Sequence, residues 1–179
     1  MHSPRSPRTF WVLALAGVAV LACGLGGGAN AEPGRVDEIA ADESPAPDAF
    51  SLVVLHPLQG DLPALLSAHA ERAAEMDRRP FVEFTASWCP SCVLLERSLD
   101  DERMIEAFRG TYIMRMDIDE WKSRLGRTGF VVLGVPAFFE VGSGGEASGR
   151  SITGAAWGPD IPENMAPVLG EFFREGAEE

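Results

Sequence analysis

Cysteine is scarce in this chain of 179 residues, which has only three. Two of them, Cys89 and Cys92, are separated by two residues, and Cys23 lies near the amino terminus. A structural zinc site normally needs four ligands, and no further cysteines or clustered histidines are present in the sequence to complete one. Covalent haem attachment needs a histidine after the second cysteine, where this chain has Val93. We therefore predict no metal and no cofactor apart from the cysteine pair itself.

Positive charge is also scarce. The chain has 15 Lys and Arg residues against 27 Asp and Glu residues, for a formal net charge of -12. Nucleic-acid binding depends on Lys and Arg to neutralise phosphates, and anionic lipid attracts basic segments. We therefore predict no nucleic-acid partner and no electrostatic binding to anionic lipid. We attribute the excess of acidic residues to solubility.

The first 31 residues have the pattern of an export signal. Two arginines and no acid precede an almost wholly apolar run from Phe10 to Leu25. Ala29 and Ala31 are small residues at the two positions that a signal peptidase recognises. This pattern predicts cleavage before Glu32. The apolar run is shorter than the roughly 20 residues of a membrane-spanning helix. We therefore predict a signal peptide over residues 1–31, whose removal would change the formal charge to -14 because it carries two arginines and no acid.

An alternative concerns Cys23. The stretch Val20-Leu21-Ala22-Cys23-Gly24 resembles a bacterial lipobox, in which Cys23 would be lipidated, although Leu21 is not the small residue usually preferred there. Soluble export is the preferred prediction. A lipoprotein and an uncleaved anchor are the alternatives, in that order.

The rest of the chain divides into a linker and one domain. Residues 32–48 contain six acids, three prolines and one arginine, a composition that stays disordered and is extended by its charges and prolines. Residues 49–179 have the size of one ordinary domain.

Patterns of strand and helix alternate along this domain. Predicted strands cover 50–55, 81–85, 111–118, 137–141 and 149–153, and predicted helices cover 61–79, 89–95, 101–108, 120–125 and 162–174. This alternation predicts an α/β fold, with helices on both faces of a sheet.

The CxxC pair lies between a predicted strand and a predicted helix. At a helix start, free backbone N–H groups and the positive end of the dipole favour a thiolate at Cys89. A spacing of three places both sulfurs on one face, and Pro90 fits the first helical position. We predict that Cys89 is exposed and attacks, and that Cys92 is the resolving thiol.

Two segments resemble the thioredoxin superfamily. Phe81-Val82-Glu83-Phe84-Thr85-Ala86-Ser87-Trp88-Cys89-Pro90-Ser91-Cys92 is similar to its strand, tryptophan and active-site helix. Gly134-Val135-Pro136-Ala137-Phe138-Phe139, which places Val135 43 residues after Cys92, is similar to its cis-proline loop. The resemblance is greatest to periplasmic thioredoxin-like domains of thiol:disulfide interchange proteins. It implies a thioredoxin-like fold with a central mixed β-sheet flanked by helices on both faces.

The resemblance also implies roles for single residues. The Val135–Pro136 bond would be cis and face the dithiol, with the Val135 backbone free to pair with a substrate chain. Glu83 would be a buried acid that takes the Cys92 proton, and Trp88 would shield one side of the site. The predicted catalytic residues are Cys89, Cys92 and Glu83, and the predicted substrate-contacting residues are Trp88, Pro90, Ser91, Val135 and Pro136.

The function implied is exported, periplasmic thiol–disulfide exchange with the cysteines or disulfides of protein substrates. Pro90 and Ser91 help to set the reduction potential, so the electron direction is open; we prefer a reductant, recharged by a membrane redox partner. Val93 stands where many thioredoxins have a lysine, which removes a nearby positive charge. A structural disulfide, a copper(I) chaperone using two soft thiolates and a non-catalytic docking module are the alternatives.

Overall fold

The computed structural model describes residues 49–175. The predicted signal segment 1–31 with Cys23, and the predicted linker 32–48, lie outside the described residues. Within 49–175, no helix is both long enough and apolar enough to cross a membrane. The described residues correspond to nearly all of the domain predicted at 49–179.

Strands and helices alternate along the described chain. The strands are β1 (Ser51–Leu55), β2 (Arg79–Thr85), β3 (Thr111–Asp117), β4 (Ala137–Val141) and β5 (Ala147–Thr153). The helices are α1 (Leu62–Glu75), α2 (Pro90–Arg97), α3 (Glu102–Ala107), α4 (Ile118–Trp121) and α5 (Pro162–Arg174).

The five strands form one mixed sheet in the order β1-β3-β2-β4-β5. Strands β1, β3 and β2 are parallel, whereas β4 is antiparallel to β2 and β5 is antiparallel to β4. The parallel pairs require helical crossovers and the β4–β5 pair needs only a turn, which the chain supplies as α1, α2 with α3, and the segment 142–146. The predicted mixed sheet is confirmed.

Apolar clusters cover both faces of the sheet. On one face, α1 and α4 pack against alternate residues of the central strands, including Val82, Phe84 and Met114. On the other, α2, α3 and α5 pack around Phe81 and Ile113. This is the pattern expected when successive side chains of a strand point to opposite faces, and it confirms helices on both sides.

Two predicted boundaries were wrong. The first helix ends at Glu75 rather than near Arg79, because Asp77 has a left-handed backbone (φ 54°) that turns the chain into β2. Pro80 lies inside β2 instead of before it. A proline is tolerated there because β4 pairs with β2 only from Phe81 onward, so the strand is still an edge on that side at Pro80.

Candidate functional site

The two cysteines lie at the junction of β2 and α2. Cys89 is the N-cap residue of α2, and its sulfur accepts a hydrogen bond of 3.1 Å from the backbone N–H of Cys92. Pro90 occupies the first helical position, where its missing N–H costs nothing. A disulfide joins Cys89 to Cys92, with their Cα atoms 5.3 Å apart. The helix start therefore holds the sulfurs in bonding contact and directs a backbone donor at one of them.

Both cysteines are buried, contrary to the exposure predicted for Cys89. Cys89 is 4% exposed and Cys92 is 3% exposed. They pack with Ala86, and Ile118 and Val135 cover the cluster from two other elements. The sequence places Cys89 at a helix start, but it does not show that a later loop and α4 close over the sulfur. Which cysteine attacks stays a prediction, since exposure does not separate them.

The cis-proline loop lies against the dithiol. The Val135–Pro136 peptide is cis, as the resemblance implies, and the carbonyl oxygen of Val135 lies 3.4 Å from Sγ of Cys89. Gly154 holds this loop: its N–H donates to the Pro136 carbonyl at 2.9 Å, and a Cβ at Gly154 would lie only 3.1 Å from Cδ of Pro136. The structure thus brings Cys89 and Val135 together from positions 46 residues apart.

The indole of Trp88 stands at the surface beside Cys89. Trp88 is 64% exposed, and its N–H donates to Oδ2 of Asp119 at 2.6 Å. The Oδ1 atom of Asp119 also accepts a hydrogen bond from Nζ of Lys122 at 2.8 Å. The hydrogen bonds from Lys122 and Trp88 lower the pKa of the Asp119 carboxyl. The ring is therefore anchored by its polar edge while its apolar surface faces solvent. Leu133, two residues before Val135, is a second exposed apolar side chain, with 91% exposure.

Glu83 is a buried acid, as predicted, and it is also ion-paired. It is 1% exposed and lies directly opposite Arg115 in the β2–β3 register. Nε of Arg115 donates to its Oε2 at 2.9 Å. Burial raises the pKa of the Glu83 carboxyl, and the charge and hydrogen bond of Arg115 oppose that rise. The proton-acceptor role of Glu83 stays a prediction, now with a guanidinium as its direct partner.

Arg115 is the charged residue that sequence reasoning missed. It is 9% exposed, and its Nη1 donates to Oε1 of Glu96 on α2 at 3.0 Å. The signal available in the sequence was a lone basic residue inside the apolar strand Tyr112-Ile113-Met114-Arg115-Met116. Its two carboxylate partners are 32 and 19 residues away, so nothing local marked it.

An open cleft of about 320 Å³ lies beside Cys92 on the side of α2 that bears Glu96. Among the residues that line it are Cys92, Val93, Glu96, Arg115, Asp117 and Glu120. Across residues 49–175, no three His, Cys, Asp or Glu side chains are grouped so as to hold a metal ion. Cys92, itself only 3% exposed, thus borders a cleft that is lined by charged side chains.

Comparison with known proteins agrees with this geometry. The model of a family described as thioredoxin-like matches residues 62–140, which include the CxxC motif, Glu83, Arg115 and the cis-proline loop. The resemblance to the thioredoxin superfamily predicted from the two motifs is thereby confirmed over this segment. A search of the curated proteins found no match.

Solved structures with similar chains include two thioredoxins and a disulphide isomerase. Thioredoxin of Trichomonas vaginalis is 27% identical, with coverage of 58% of this chain and 86% of that chain and a TM-score of 0.41. The disulphide isomerase of Xylella fastidiosa Temecula1 is 17% identical, with coverage of 68% and 95% and a TM-score of 0.49. Thioredoxin of Trypanosoma brucei brucei is 20% identical, with coverage of 70% and 94% and a TM-score of 0.42.

The fold and the site together define a class. The chain has a thioredoxin-like fold of the oxidoreductase type, with a CxxC pair at disulfide distance at the start of a helix. It therefore has the fold and the dithiol of a thiol–disulfide oxidoreductase.

Proposed function

We propose that the protein is an exported thiol–disulfide oxidoreductase that exchanges electrons with the cysteines of protein substrates. The observation that carries this proposal is the juxtaposition of the Cys89–Cys92 disulfide with the Val135 carbonyl, 3.4 Å from Sγ of Cys89. A substrate chain that pairs with the Val135 backbone as an added strand would present its own cysteine to Cys89. A disulfide with a purely structural role needs no such adjoining backbone.

The reductive direction proceeds in two exchanges. The Cys89 thiolate attacks one sulfur of a substrate disulfide, so that a mixed disulfide forms and the other substrate sulfur leaves as a thiolate and takes up a proton. Cys92 then loses its proton and attacks Cys89, which forms the Cys89–Cys92 bond and releases the second substrate thiol. The substrate gains two electrons and two protons, and the dithiol loses them.

The surface around the dithiol supports a protein substrate. Trp88, next to Cys89 in the chain, and Leu133, two residues before Val135, both present exposed apolar side chains. Apolar exposure of this kind suits an extended polypeptide better than a small polar thiol. Trp88, Pro90, Ser91, Val135 and Pro136 are the residues proposed to contact it.

The compartment and the redox partner are proposed from the sequence. The signal pattern over residues 1–31 and the lipobox-like context of Cys23 support export to the periplasm, with a lipid-anchored form as the alternative. A reductant in an oxidising compartment must be recharged, so a membrane redox partner is part of the proposal. The preference for the reducing direction rests on resemblance to interchange proteins.

Trapping tests the exchange reaction. Cys92→Ser should accumulate mixed disulfides through Cys89, because the resolving step is lost while the attack remains. The matched control is Cys89→Ser with Cys92 intact, which should trap far less. The parent protein should also reduce insulin or support oxidative refolding. The proposal would be contradicted if no partner were trapped and the parent protein showed neither insulin reduction nor refolding activity.

The reduction potential of the Cys89–Cys92 pair tests the direction. A value near that of thioredoxin, about -270 mV, supports a reductant, and a value near about -120 mV indicates an oxidant. The measurement is an equilibrium titration against a glutathione buffer, read by alkylation of the free thiols.

A further inference from the structure

The turn after β5 holds a buried tryptophan. Trp157 is 5% exposed and directly follows the short 3-10 turn Gly154–Ala156. Its N–H donates to Oδ1 of Asp160 at 3.0 Å, which gives the buried indole the hydrogen-bond partner that it normally needs. The ring packs in the apolar cluster that also contains Leu95 of the dithiol helix α2. Trp157 therefore lies on the face of the sheet that packs against the dithiol helix.

Gly154 connects this tryptophan to the cis-proline loop. The Gly154 N–H donates to the carbonyl oxygen of Pro136 at 2.9 Å. A Cβ on Gly154 would lie 3.1 Å from Cδ of Pro136 and 3.4 Å from Cζ2 of Trp157. Both rings thus close on the same side of Gly154, and a methyl group would fit between them only if one ring moved. A shift of the indole would therefore loosen Gly154 from Pro136.

Gly154 lies where the sheet ends. Thr153 and Ala137 form the last pair of the β4–β5 ladder at this end, and β5 is an edge strand. The hydrogen bond from Gly154 to Pro136 comes next along the chain. Such a bond at the end of an edge strand opens easily unless side chains pack against it. Besides the ring of Pro136, the indole of Trp157 supplies that packing.

The position of Pro136 affects where a substrate chain can bind in the proposed function. Val135, the preceding residue, has its carbonyl oxygen 3.4 Å from Sγ of Cys89, and its backbone is the proposed pairing site for a substrate. Reaction rates depend strongly on such geometry, since a displacement of about 1 Å can cost about 100-fold. A support behind Pro136 therefore influences exchange without contact with the sulfurs.

We propose that Trp157 is a positioning residue, which holds Gly154 against Pro136 and so fixes the cis-proline loop beside the dithiol. Asp160 anchors the indole through its N–H. Trp157 is buried, so it acts through these neighbours and not by contact with the substrate. It takes no part in the transfer of protons or electrons. The proposal rests on the proposed function and adds to it a support for the substrate-pairing backbone.

The first test compares two substrates that use the loop differently. A peptide disulfide has a backbone that can pair with Val135, whereas hydroxyethyl disulfide has no peptide backbone. All variants are made in the full chain with Cys23→Ser, so that Cys89 and Cys92 are the only thiols. The reduced protein is mixed with each disulfide, and the released thiol is followed by chromatography.

Trp157→Leu should lower kcat/KM for the peptide disulfide by about tenfold, mainly through a higher KM, because a loosened loop pairs less well with the substrate. The rate with hydroxyethyl disulfide should not change. Trp157→Phe should keep most of the peptide activity, because it retains an aromatic ring against Gly154. A merely structural role would lower both rates together.

The indole anchor has a matched pair of variants. Asp160→Ala removes the acceptor of the Trp157 N–H, whereas Asp160→Asn keeps an oxygen at that place. Asp160→Ala should show the same peptide-selective loss as Trp157→Leu but smaller, and Asp160→Asn should resemble the parent. Phe172→Leu is the control for stability, since this ring belongs to the same cluster and packs against Phe81. It should not distinguish the two disulfides.

A second readout needs no substrate. Hydrogen exchange of the Gly154 amide, followed by NMR in the oxidised protein, reports the bond to Pro136 directly. Trp157→Leu should speed this exchange by about tenfold relative to the amides of the central strands β2 and β3, because the end of an edge strand opens locally. If Trp157→Leu does not fold, Trp157→Phe and Asp160→Ala are compared in its place, with the larger acceleration expected for Asp160→Ala.

An equal loss with both disulfides overturns the inference, as does a Gly154 amide that exchanges no faster than in the parent. A peptide-selective loss in Phe172→Leu would also overturn it. These results differ from a failure of the proposed function. A parent protein that reduces neither disulfide contradicts the proposed function and, with it, the purpose assigned to the loop. An unchanged Gly154 amide in an active protein contradicts only the support by Trp157.

Discussion

The two faces of the sheet are built from the same strands but carry different chemistry. On the α1 face, the buried side chains of β2 and β3 are apolar, such as Val82, Phe84 and Met114. On the α2 face, the same strands place Glu83 and Arg115 side by side, at 1% and 9% exposure, among apolar neighbours. A buried ion pair is weak evidence for stability, because desolvation offsets its Coulombic gain. The buried charged pair therefore lies on the face of the sheet that packs against the dithiol helix.

Breaking the ion pair from one side gives the largest expected effect. Arg115→Met should destabilise the fold by about 4 kcal/mol at neutral pH, because it leaves the Glu83 carboxylate buried without its partner. The measurement is chemical denaturation of the oxidised protein at neutral pH. A loss below about 1 kcal/mol would mean that Glu83 is not desolvated as the structure places it.

The same variant predicts a characteristic pH dependence. Burial already raises the pKa of Glu83 above its ordinary value of 4.5, and loss of Arg115 removes the effect that opposes this rise. An acid with a raised pKa holds more protons in the folded state, so stability falls as pH rises. The deficit relative to the parent should be small below about pH 4.5 and should grow as pH rises through the folded pKa. A deficit independent of pH would contradict this assignment.

A substitution on the opposite face comes next. Met114→Ala, at the residue adjacent to Arg115 on β3, removes a fully buried apolar side chain on the α1 face. It should cost about 3 kcal/mol through lost burial and a cavity. Because no charge is stranded, this loss should be the same at acid and neutral pH. The pair of denaturation profiles, Met114→Ala against Arg115→Met, tests the comparison of the two faces directly.

Removal of both charges should restore most of the stability. Glu83→Leu with Arg115→Met replaces the pair by apolar side chains, and such replacements are often neutral or stabilising. We expect the free energy of unfolding of the double variant, measured by chemical denaturation, to be within about 1 kcal/mol of that of the parent. Exchange through the dithiol should nevertheless slow, because Glu83 is the predicted acceptor of the Cys92 proton, and this would separate that predicted role from the effect of the pair on stability. Full activity in a stable double variant would show that the pair is dispensable.

An exposed ion pair supplies the smallest effect. Arg109→Ala breaks its contact with Glu106, where both side chains are about half exposed or more. Such pairs contribute roughly 0.3 kcal/mol and are screened by salt. Thermal unfolding at low and high salt should show almost no difference from the parent. A loss as large as that of Arg115→Met would mean that burial does not decide the contribution of these ion pairs.

Local patterns were enough to predict most elements, and they failed where a distant contact decided the outcome. The CxxC helix and the closing helix α5 were predicted close to their observed bounds, because a capping position and a helical apolar period mark them. The end of α1 was not, because the turn at Asp77 uses a left-handed residue that is neither Gly nor Asn. The exposure of Cys89 was wrong because Ile118 and Val135, which cover it, come from later elements.

The sequence by itself determined the class of site. The sequence shows two cysteines three positions apart at a predicted helix start. It also shows an acid six residues before Cys89 and a Val-Pro dipeptide that begins 43 residues after Cys92. Only the tertiary structure decided what surrounds the sulfurs: the Val135 carbonyl at 3.4 Å, the Trp88–Asp119 anchor and the Glu83–Arg115–Glu96 array. The physical reason is that strand register and crossover connections, which local propensity does not encode, bring charges together from positions 19 to 32 residues apart.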